Sequence, residues 1–304
     1  MSTCAPSPPN AETPYRGRFA PSPTGPLHFG SLVTALAGFL QARSHVGRWL
    51  LRIDDIDPPR EQPGAADAIR TVLARCHLEW DEEVTFQRHS LEDHRAACEK
   101  LMHAGLAYRC TCSRKLIGAR AYPGTCREAK HLAQGRHSVR VRVGADRVSL
   151  EDPVQGRQTW NLEQEGGDFV IWRVEDLPAY HLAAVVDDAA AGITEIVRGA
   201  DLLDSAPRQR HLQTLLDLPR PAYLHLPVAV DAAGQKLSKQ KLAPAISESS
   251  AAEALVAALN WLGQTPPTVL QRAPPAAIIE WAIAHWDPRA IPRQRQWPAP
   301  HLGS

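Results

Sequence analysis

The stretch Arg18–Leu32, RFAPSPTGPLHFGSL, decides the fold. Pro21, Pro23 and Pro26 stiffen it, and from Phe29 onward the apolar residues Leu32, Leu36, Phe39 and Leu40 recur at helical spacing. A rigid loop therefore delivers the chain to a helix N-terminus. Such an end carries N–H groups without intrahelical partners and a partial positive charge, and Gly30 permits close backbone approach, so a phosphate can be received there. Upstream, Tyr15–Ala20 reads as a strand. Downstream, the helix runs from Phe29 to about Val46 and ends near Gly47, and RWLLRI at Arg48–Ile53 makes a second strand. Strand, crossover helix and strand form a βαβ unit, which implies a parallel sheet with ligands at the carboxyl ends of its strands. Both the opening loop and DDIDPPRE, which starts at Asp54, fall at that end.

Working outward, 304 residues with 44% apolar content suffice for a full core divided into two or three subregions. Apolar runs break off well before the roughly 18 residues of a membrane span, and the N-terminus lacks the basic start and apolar stretch of a signal peptide, so a cytoplasmic protein is expected. A net charge of +1 means that any nucleic-acid partner must be held by a local basic face. Residues 1–14, with four prolines, read as a disordered tail. Residues 15–105 form the first half of the sheet domain, closing with a helix from about Ser90 to Gly105 that Ser90 and Asp93 mark as a capping box.

Residues 106–176 carry three of the six cysteines, many basic residues and strand-like pieces such as SVRVRV, and read as an insertion. The sheet is expected to resume over 177–246, where AYHLAAVVDD and GITEIVRGADLL look sheet-like and AYLHLPVAV gives one more strand before GQKLSKQK. Residues 247–304 read as a helical region, with Ser250 and Glu253 capping AAEALVAALNWL and AAIIEWAIAHW forming a second amphipathic run.

Cys110, Cys112 and Cys126 cluster in sequence, and in a reducing compartment metal is a better reading than disulfide. Three thiolates suit zinc, which takes a fourth ligand; chemistry alone nominates His131 or His137. The other cysteines, Cys4, Cys76 and Cys98, fit a tail, a core and a helix face. Asp187 and Asp188 read equally as Mg²⁺ ligands or as strand-end carboxylates facing solvent. By itself, His28 in HFGS reads as a capping or packing residue, and KLSKQ at Lys236–Gln240 as a solvated charge cluster.

Together, a His/Gly helix start after the first strand and a Lys-x-Ser-Lys loop after the last resemble the two signatures of class I aminoacyl-tRNA synthetases. RFAPSPTGPLHFG, RIDDIDPPRE, TEIVRGADL and KLSKQ follow one another in the order of the glutamyl-tRNA synthetase branch, over about residues 16–246. The anticodon-binding helical domain of the full-length enzymes has no counterpart, so the chain resembles the glutamyl-Q tRNA(Asp) synthetase family. That resemblance implies an α/β fold: a Rossmann-like parallel sheet with a zinc-containing insertion and a C-terminal helical region. It implies an enzyme that activates L-glutamate with ATP, without needing tRNA, and attaches it to the queuosine base in the anticodon of tRNA(Asp).

Glutamate presents two carboxylates and one ammonium, so its pocket needs guanidinium groups and a carboxylate, which Arg18, Arg198 and Asp54 supply. By resemblance, Arg18, Phe19, Ala20, Pro21 and Ser22 line the amino-acid site, Tyr180 and Arg198 complete it, and Asp54 stands where the family usually has Glu. Adenylate formation is attack by the glutamate carboxylate on the α-phosphorus of ATP, and it needs positioning and charge neutralisation rather than a general base. His28 and Gly30 would hold phosphates, Lys239 helped by Lys236 would balance charge on the leaving pyrophosphate, and Mg²⁺ would accompany ATP. For the metal the resemblance points to Tyr122 as the fourth ligand, in a structural site. Arg208, Arg210, Arg293 and Arg295 are candidates for gripping the tRNA, and a monomer is expected. Two other readings stay open: a truncated conventional glutamyl-tRNA synthetase, and a zinc-containing nucleic-acid-binding module that has lost catalysis, against which the intact HFGS and KLSK argue.

Overall fold

The computed structural model describes residues 14–118, 121–129, 135–231, 234–235 and 250–300. It opens with β1 (Arg16–Phe19), α1 (Phe29–Ser44) and β2 (Arg48–Ile53), the two strands parallel from Arg16 opposite Arg48 to Phe19 opposite Leu51. The helix stops short of Val46, which takes left-handed backbone at φ 53°. The glycine that follows serves the sheet instead: a Cβ on Gly47 would stand 2.6 Å from the Tyr15 carbonyl oxygen, so only glycine lets β2 start this close to β1.

After α2 (Ala65–Arg75), β3 (Thr85–Phe86) joins β2 in parallel, and α3 (Leu91–His103) follows. Ser90 precedes α3 but its side chain makes no capping bond, so the capping box does not form; Glu92 and Asp93 instead place negative charge in the first turn, where the helix dipole favours it. Next come β4 (Ala107–Cys110), α4 (Arg114–Ile117), β5 (Ser138–Val141), β6 (Arg147–Asp152), β7 (Gly156–Asn161), α5 (Leu162–Glu165) and β8 (Phe169–Trp172). Here pairing turns antiparallel: β4, β5 and β8 form one sheet and β6–β7 a hairpin.

The chain continues through α6 (Tyr180–Ala190), β9 (Glu195–Gly199), α7 (Ala206–Leu216), β10 (Ala222–Leu226), β11 (Val228–Val230), α8 (Ala251–Trp261), α9 (Pro275–His285) and β12 (Gln296–Pro298). β9 and β10 are parallel, and the Thr194 N–H donates to the Arg16 carbonyl at 2.9 Å, which sets β9 beside β1. The parallel strands thus run β10, β9, β1, β2, β3. One core gathers Leu32, Leu36 and Leu40 of α1, Trp49 and Leu51 of β2, Leu255 and Leu259 of α8, and Ile278 of α9. A second joins Leu101, Val141, Ile171, Leu182 and Leu212, so α3, α6 and α7 pack against the antiparallel sheet.

Two sequence expectations are corrected. AYHLAAVVDD is not sheet-like: Tyr180–Ala190 is helix α6, whose leucine, alanine and valine side chains are buried nearly all round, and such a run has no periodicity to separate helix from strand. AYLHLPVAV is not one strand but two. Pro227 lacks the N–H that a continuing ladder would need, and the chain there leaves β9 to pair with β12 in parallel. Cys76 and Cys98 are buried, at the end of α2 and within α3, while Cys4 lies outside the described residues. Among the described residues no helix is long and apolar enough to cross a membrane.

Candidate active site and metal centre

A cavity of about 310 Å³ opens at the carboxyl ends of β1 and β9, beside the N-terminus of α1. Its walls include Arg18, Phe19, Ala20, Pro21, Ser22, His28, Gly30, Asp54, Tyr180 and Arg198, so the structure brings these sequence-nominated residues together. Lys236 and Lys239 lie outside the described residues. His28 is the N-cap of α1: its Nδ1 accepts the Ser31 N–H at 3.3 Å. With Nδ1 accepting, the neutral ring carries its proton on Nε2, 3.2 Å from the Ser31 hydroxyl. A Cβ on Gly30 would meet the His28 ring at 3.4 Å, an ordinary contact, so protein packing alone does not demand a glycine there.

Beneath the cavity lies a network that sequence reasoning missed. Arg18 donates two bonds of 3.1 Å to Asp188, and Arg52 bridges Asp188 at 2.6 Å and Asp54 at 2.7 Å. Asp187 accepts from Gln87 and pairs with His94, each at 2.7 Å. Asp187 and Asp188 are therefore neither solvent-facing nor at a strand end: they lie on α6, buried, and hold the cations of the site. Burial opposes the charge on Asp188, yet Arg18 and Arg52 hold its carboxyl down at about 2. At Asp54 burial wins and raises the carboxyl above its usual range, against the pull of Arg52.

Arg18 and Arg198 are both buried. Arg198 donates Nε–H to His225 at 3.0 Å, Nη1 to Gln209 at 2.7 Å and Nη2 to the Leu202 carbonyl at 3.2 Å. Arg18 enters the cavity with its charge already met by Asp188. Among the described residues Arg198 has no carboxylate partner, so a buried guanidinium faces a cavity that a ligand anion can enter.

The three cysteines meet as the sequence suggests. Cys110, Cys112 and Cys126 present sulfurs all within 4.8 Å of one another, with Cys112 Sγ 3.6 Å from Cys126 Sγ. Tyr122 Oη lies 3.4 Å from Cys110 Sγ and 3.6 Å from Cys112 Sγ. Bonds of about 2.3 Å to sulfur and 2.0 Å to oxygen at tetrahedral angles require separations of roughly 3.8 Å between sulfurs and roughly 3.5 Å from sulfur to oxygen. The separations of 3.4–3.6 Å come close to these values, and the three sulfurs could hold a metal ion with the Tyr122 hydroxyl beside them. His137 is half-buried, its Nδ1 bonded to the Gly135 carbonyl, and stands outside the cluster; His131 lies outside the described residues.

Gly167 is what brings Tyr122 in. It sits at φ 66°, and a Cβ there would fall 2.4 Å from the Tyr122 carbonyl oxygen, while the Tyr122 N–H donates to Gly166 at 2.9 Å. The doubled glycine of EGGDF was the available signal. Arg140 lies over the Tyr122 ring at 4.1 Å and donates to Cys110 Sγ at 3.3 Å. Asp168, fully buried, takes Arg127 and Tyr108 and the Val143 N–H, bracing both flanks of the cluster.

The four arginines proposed for a nucleic-acid grip divide. Arg293 and Arg295 are exposed, the latter 3.2 Å from Asp204, and Arg208 is half-buried. Arg210 does not belong with them: it donates to Gln213 and the Pro221 carbonyl, lies over the buried Tyr223 ring, and loses basicity to burial.

Comparison with known proteins gives the family and the fold. The family model of the class I tRNA synthetases for E and Q, catalytic domain, matches residues 15–269. A glutamyl-Q tRNA(Asp) synthetase of Aromatoleum aromaticum is 50% identical over 299 residues, covering 96% of this chain and 95% of the relative. Proteins of that name from Ectopseudomonas mendocina, at 50% identity over 93% of this chain and 97% of the relative, and from Pseudomonas aeruginosa, at 49% over 95% and 99%, are similar in the same way. In fold, the chain matches a glutamate tRNA ligase from Elizabethkingia meningosepticum with a TM-score of 0.80 at 21% identity, over 95% of this chain and 67% of that one. The chain belongs to the glutamyl-Q tRNA(Asp) synthetase family, ligase-type enzymes built on the class I synthetase catalytic domain.

Proposed function

We propose that this enzyme activates L-glutamate with ATP in the absence of tRNA and transfers the glutamyl group to the queuosine base of tRNA(Asp). The observation that carries the reading is the cavity itself. It brings together Asp54, the N-terminus of α1 and Arg198, a buried cation with no carboxylate partner among the described residues. A glutamate can lay a carboxylate on guanidinium and its ammonium on Asp54, leaving the reacting carboxylate towards the helix end. Arg18–Ser22 and Tyr180 form the rest of that amino-acid subsite. The backbone N–H groups near Gly30 and the His28 Nε2–H receive phosphates of ATP, which arrives with Mg²⁺, and Lys239 with Lys236 offsets charge on departing pyrophosphate.

Asp54 is one methylene shorter than the glutamate usual in the family, and Arg52 already holds one of its oxygens at 2.7 Å. The substrate ammonium is then met by the other oxygen or through a bridging water. Zinc fills the centre formed by Cys110, Cys112, Tyr122 and Cys126 and serves structure: when bound it ties β4 to the segment around Tyr122 and Cys126. Each group assigned to activation belongs to this chain, which supports adenylate formation without tRNA. Queuosine carries a cyclopentene diol whose hydroxyl can attack the adenylate carbonyl as a ribose hydroxyl would, and an unpaired anticodon base can be splayed into such a site. Grip by basic residues such as the exposed Arg293 and Arg295 and the half-buried Arg208 makes transfer, but not activation, sensitive to salt.

The test is glutamate incorporation into tRNA(Asp) from cells unable to make queuosine, beside the modified tRNA. Incorporation into the modified tRNA alone is expected. Equal incorporation into both would reject the queuosine reading in favour of terminal charging, and ATP–pyrophosphate exchange that starts only on adding tRNA would reject independent activation.

A further inference from the structure

Arg198 reaches the cavity from a chain of buried groups that none of the motifs contains. Asp152 closes β6, and both its oxygens are fully used. Oδ1 accepts the N–H groups of Val154 at 2.9 Å and Gln155 at 2.8 Å, and Oδ2 accepts the His225 N–H at 2.9 Å and its ring Nδ1–H at 2.8 Å. His225, on β10, is completely buried and stacks on the Tyr223 ring at 5.4 Å. Its other nitrogen, Nε2, lies 3.0 Å from Arg198 Nε.

The roles in this chain are forced. An arginine only donates, so His225 Nε2 must offer a lone pair, and the ring's proton must sit on Nδ1, where the Asp152 carboxylate accepts it. A doubly protonated ring would set one N–H against another. The groups facing His225 are Asp152 from β6, Arg198 from β9, Tyr223 from its own strand and Asp201 from the turn after β9; burial and Arg198 favour the neutral ring, and Asp152 opposes them.

We propose that His225, fixed by Asp152, is a positioning residue that presents Arg198 to the glutamate carboxylate through its two terminal nitrogens. The inference rests on the reading of the cavity as the glutamate site. A guanidinium can grip a carboxylate side-on, through Nε and one Nη, or end-on, through both Nη atoms. His225 occupies Nε–H, so the side-on grip is closed, and Gln209 and the Leu202 carbonyl each take one N–H of a terminal nitrogen, leaving one on each for the ligand. Removing the acceptor frees the head to rotate about the last side-chain bonds and leaves a buried Nε–H without a partner. What the hairpin β6–β7 contributes to the reaction, by this route, is the orientation of one arginine.

The experiment measures ATP–pyrophosphate exchange with glutamate and ATP varied separately in His225→Leu, His225→Gln, Asp152→Asn and Arg198→Ala proteins, with circular dichroism and a thermal midpoint for each. His225→Leu should raise KM for glutamate about 10- to 100-fold, the range for losing a hydrogen bond to a charged group, with KM for ATP unchanged and kcat within a few-fold. His225→Gln, whose side-chain oxygen can still accept from Nε–H, should recover most of the loss. A folded His225→Leu protein with the wild-type glutamate KM, or with glutamate and ATP constants disturbed alike, overturns the proposal. Should that variant fail to fold, Asp152→Asn carries the same decision: a rise in glutamate KM alone supports it, and no selective rise overturns it. Arg198→Ala separates the two levels of inference. If it leaves the glutamate KM unchanged, the assignment of the cavity fails; if it raises it while the His225 and Asp152 variants do not, the positioning role alone fails.

Discussion

Replacing Arg52 by glutamine tests whether the ion network beneath the cavity is a unit. The guanidinium holds Asp54 at 2.7 Å and Asp188 at 2.6 Å with Asp187 at 3.9 Å, and all four side chains are less than a tenth exposed. Glutamine fills much of the volume but leaves three carboxylates with Arg18, His94 and Gln87. Removing one partner of a buried pair costs about 3–5 kcal/mol, because it strands the opposite charge. Arg48→Gln is the control: Arg48 is 61% exposed and reaches Glu82 at 2.7 Å, and such a pair contributes about 0–1 kcal/mol. Urea denaturation of both variants at neutral pH should therefore separate them by several-fold in ΔΔG with unchanged m.

The pH dependence has a definite sign. Without Arg52, the Asp54 carboxyl, already raised by burial, rises further above its unfolded value of 3.8, and Asp188 loses one of the two cations that hold it down, so the folded protein takes up protons more readily than in the wild type. The penalty is full above the raised folded value and disappears below 3.8, so the difference from wild type shrinks as the solution is acidified. A loss no larger than that of Arg48→Gln, or one that does not fall on acidification towards about pH 4, would refute the account of the network as a coupled buried cluster.

Three further outcomes are expected. Purified protein should contain one zinc per chain by elemental analysis, lost in the Cys110→Ser, Cys126→Ser double variant; metal near zero in folded wild type would remove the centre. Lys239→Ala should cut glutamate-dependent exchange by about 10²-fold or more with little change in glutamate binding, and an undiminished rate would take Lys239 out of the leaving-group role. In the wild type, Asp188 is held at about 2 against an ordinary 3.8, so its stabilisation is complete above 3.8 and is lost as pH falls through about 2; Asp188→Asn should flatten that acid limb, and an unchanged limb would show the charge elsewhere.

What could be read from sequence follows the range of the interactions. The unit β1–α1–β2 was legible because its signals are local: prolines before the helix, apolar residues at helical spacing, a six-residue strand. α6 was misread because a helix buried on nearly every side shows no period. The pairing of β11 with β12 joins Val228–Val230 to Gln296–Pro298, and nothing local announces a partner so far along the chain. The same holds for the network: Arg18 meets Asp188, and Arg52 meets it as well, across more than a hundred residues. Residue types at motif positions marked who lines the cavity, but not that Arg18 arrives neutralised while Arg198 does not. Arg210 was misassigned because an arginine at a polar helix start looks exposed until the Tyr223 ring is placed beside it.

The terminal clasp gives the molecule a timetable. β11 borders the cavity and lies just ahead of KLSKQ in the sequence, and its parallel partner is the last strand described. Ala299 N–H bonds to the Val230 carbonyl at 2.8 Å, and the Trp261 indole N–H, from a residue that also lines the cavity, bonds to the Pro298 carbonyl at 2.8 Å. During synthesis the chain emerges from its N-terminus, so β1, β2, β9 and β10 can pair while the ribosome is still adding residues, but β11 has no neighbour on this side until Gln296–Pro298 has cleared the exit tunnel. The wall of the cavity that β11 forms is completed only after Gln296–Pro298 has emerged, and a nascent polypeptide halted before that point carries the sheet without its finished pocket.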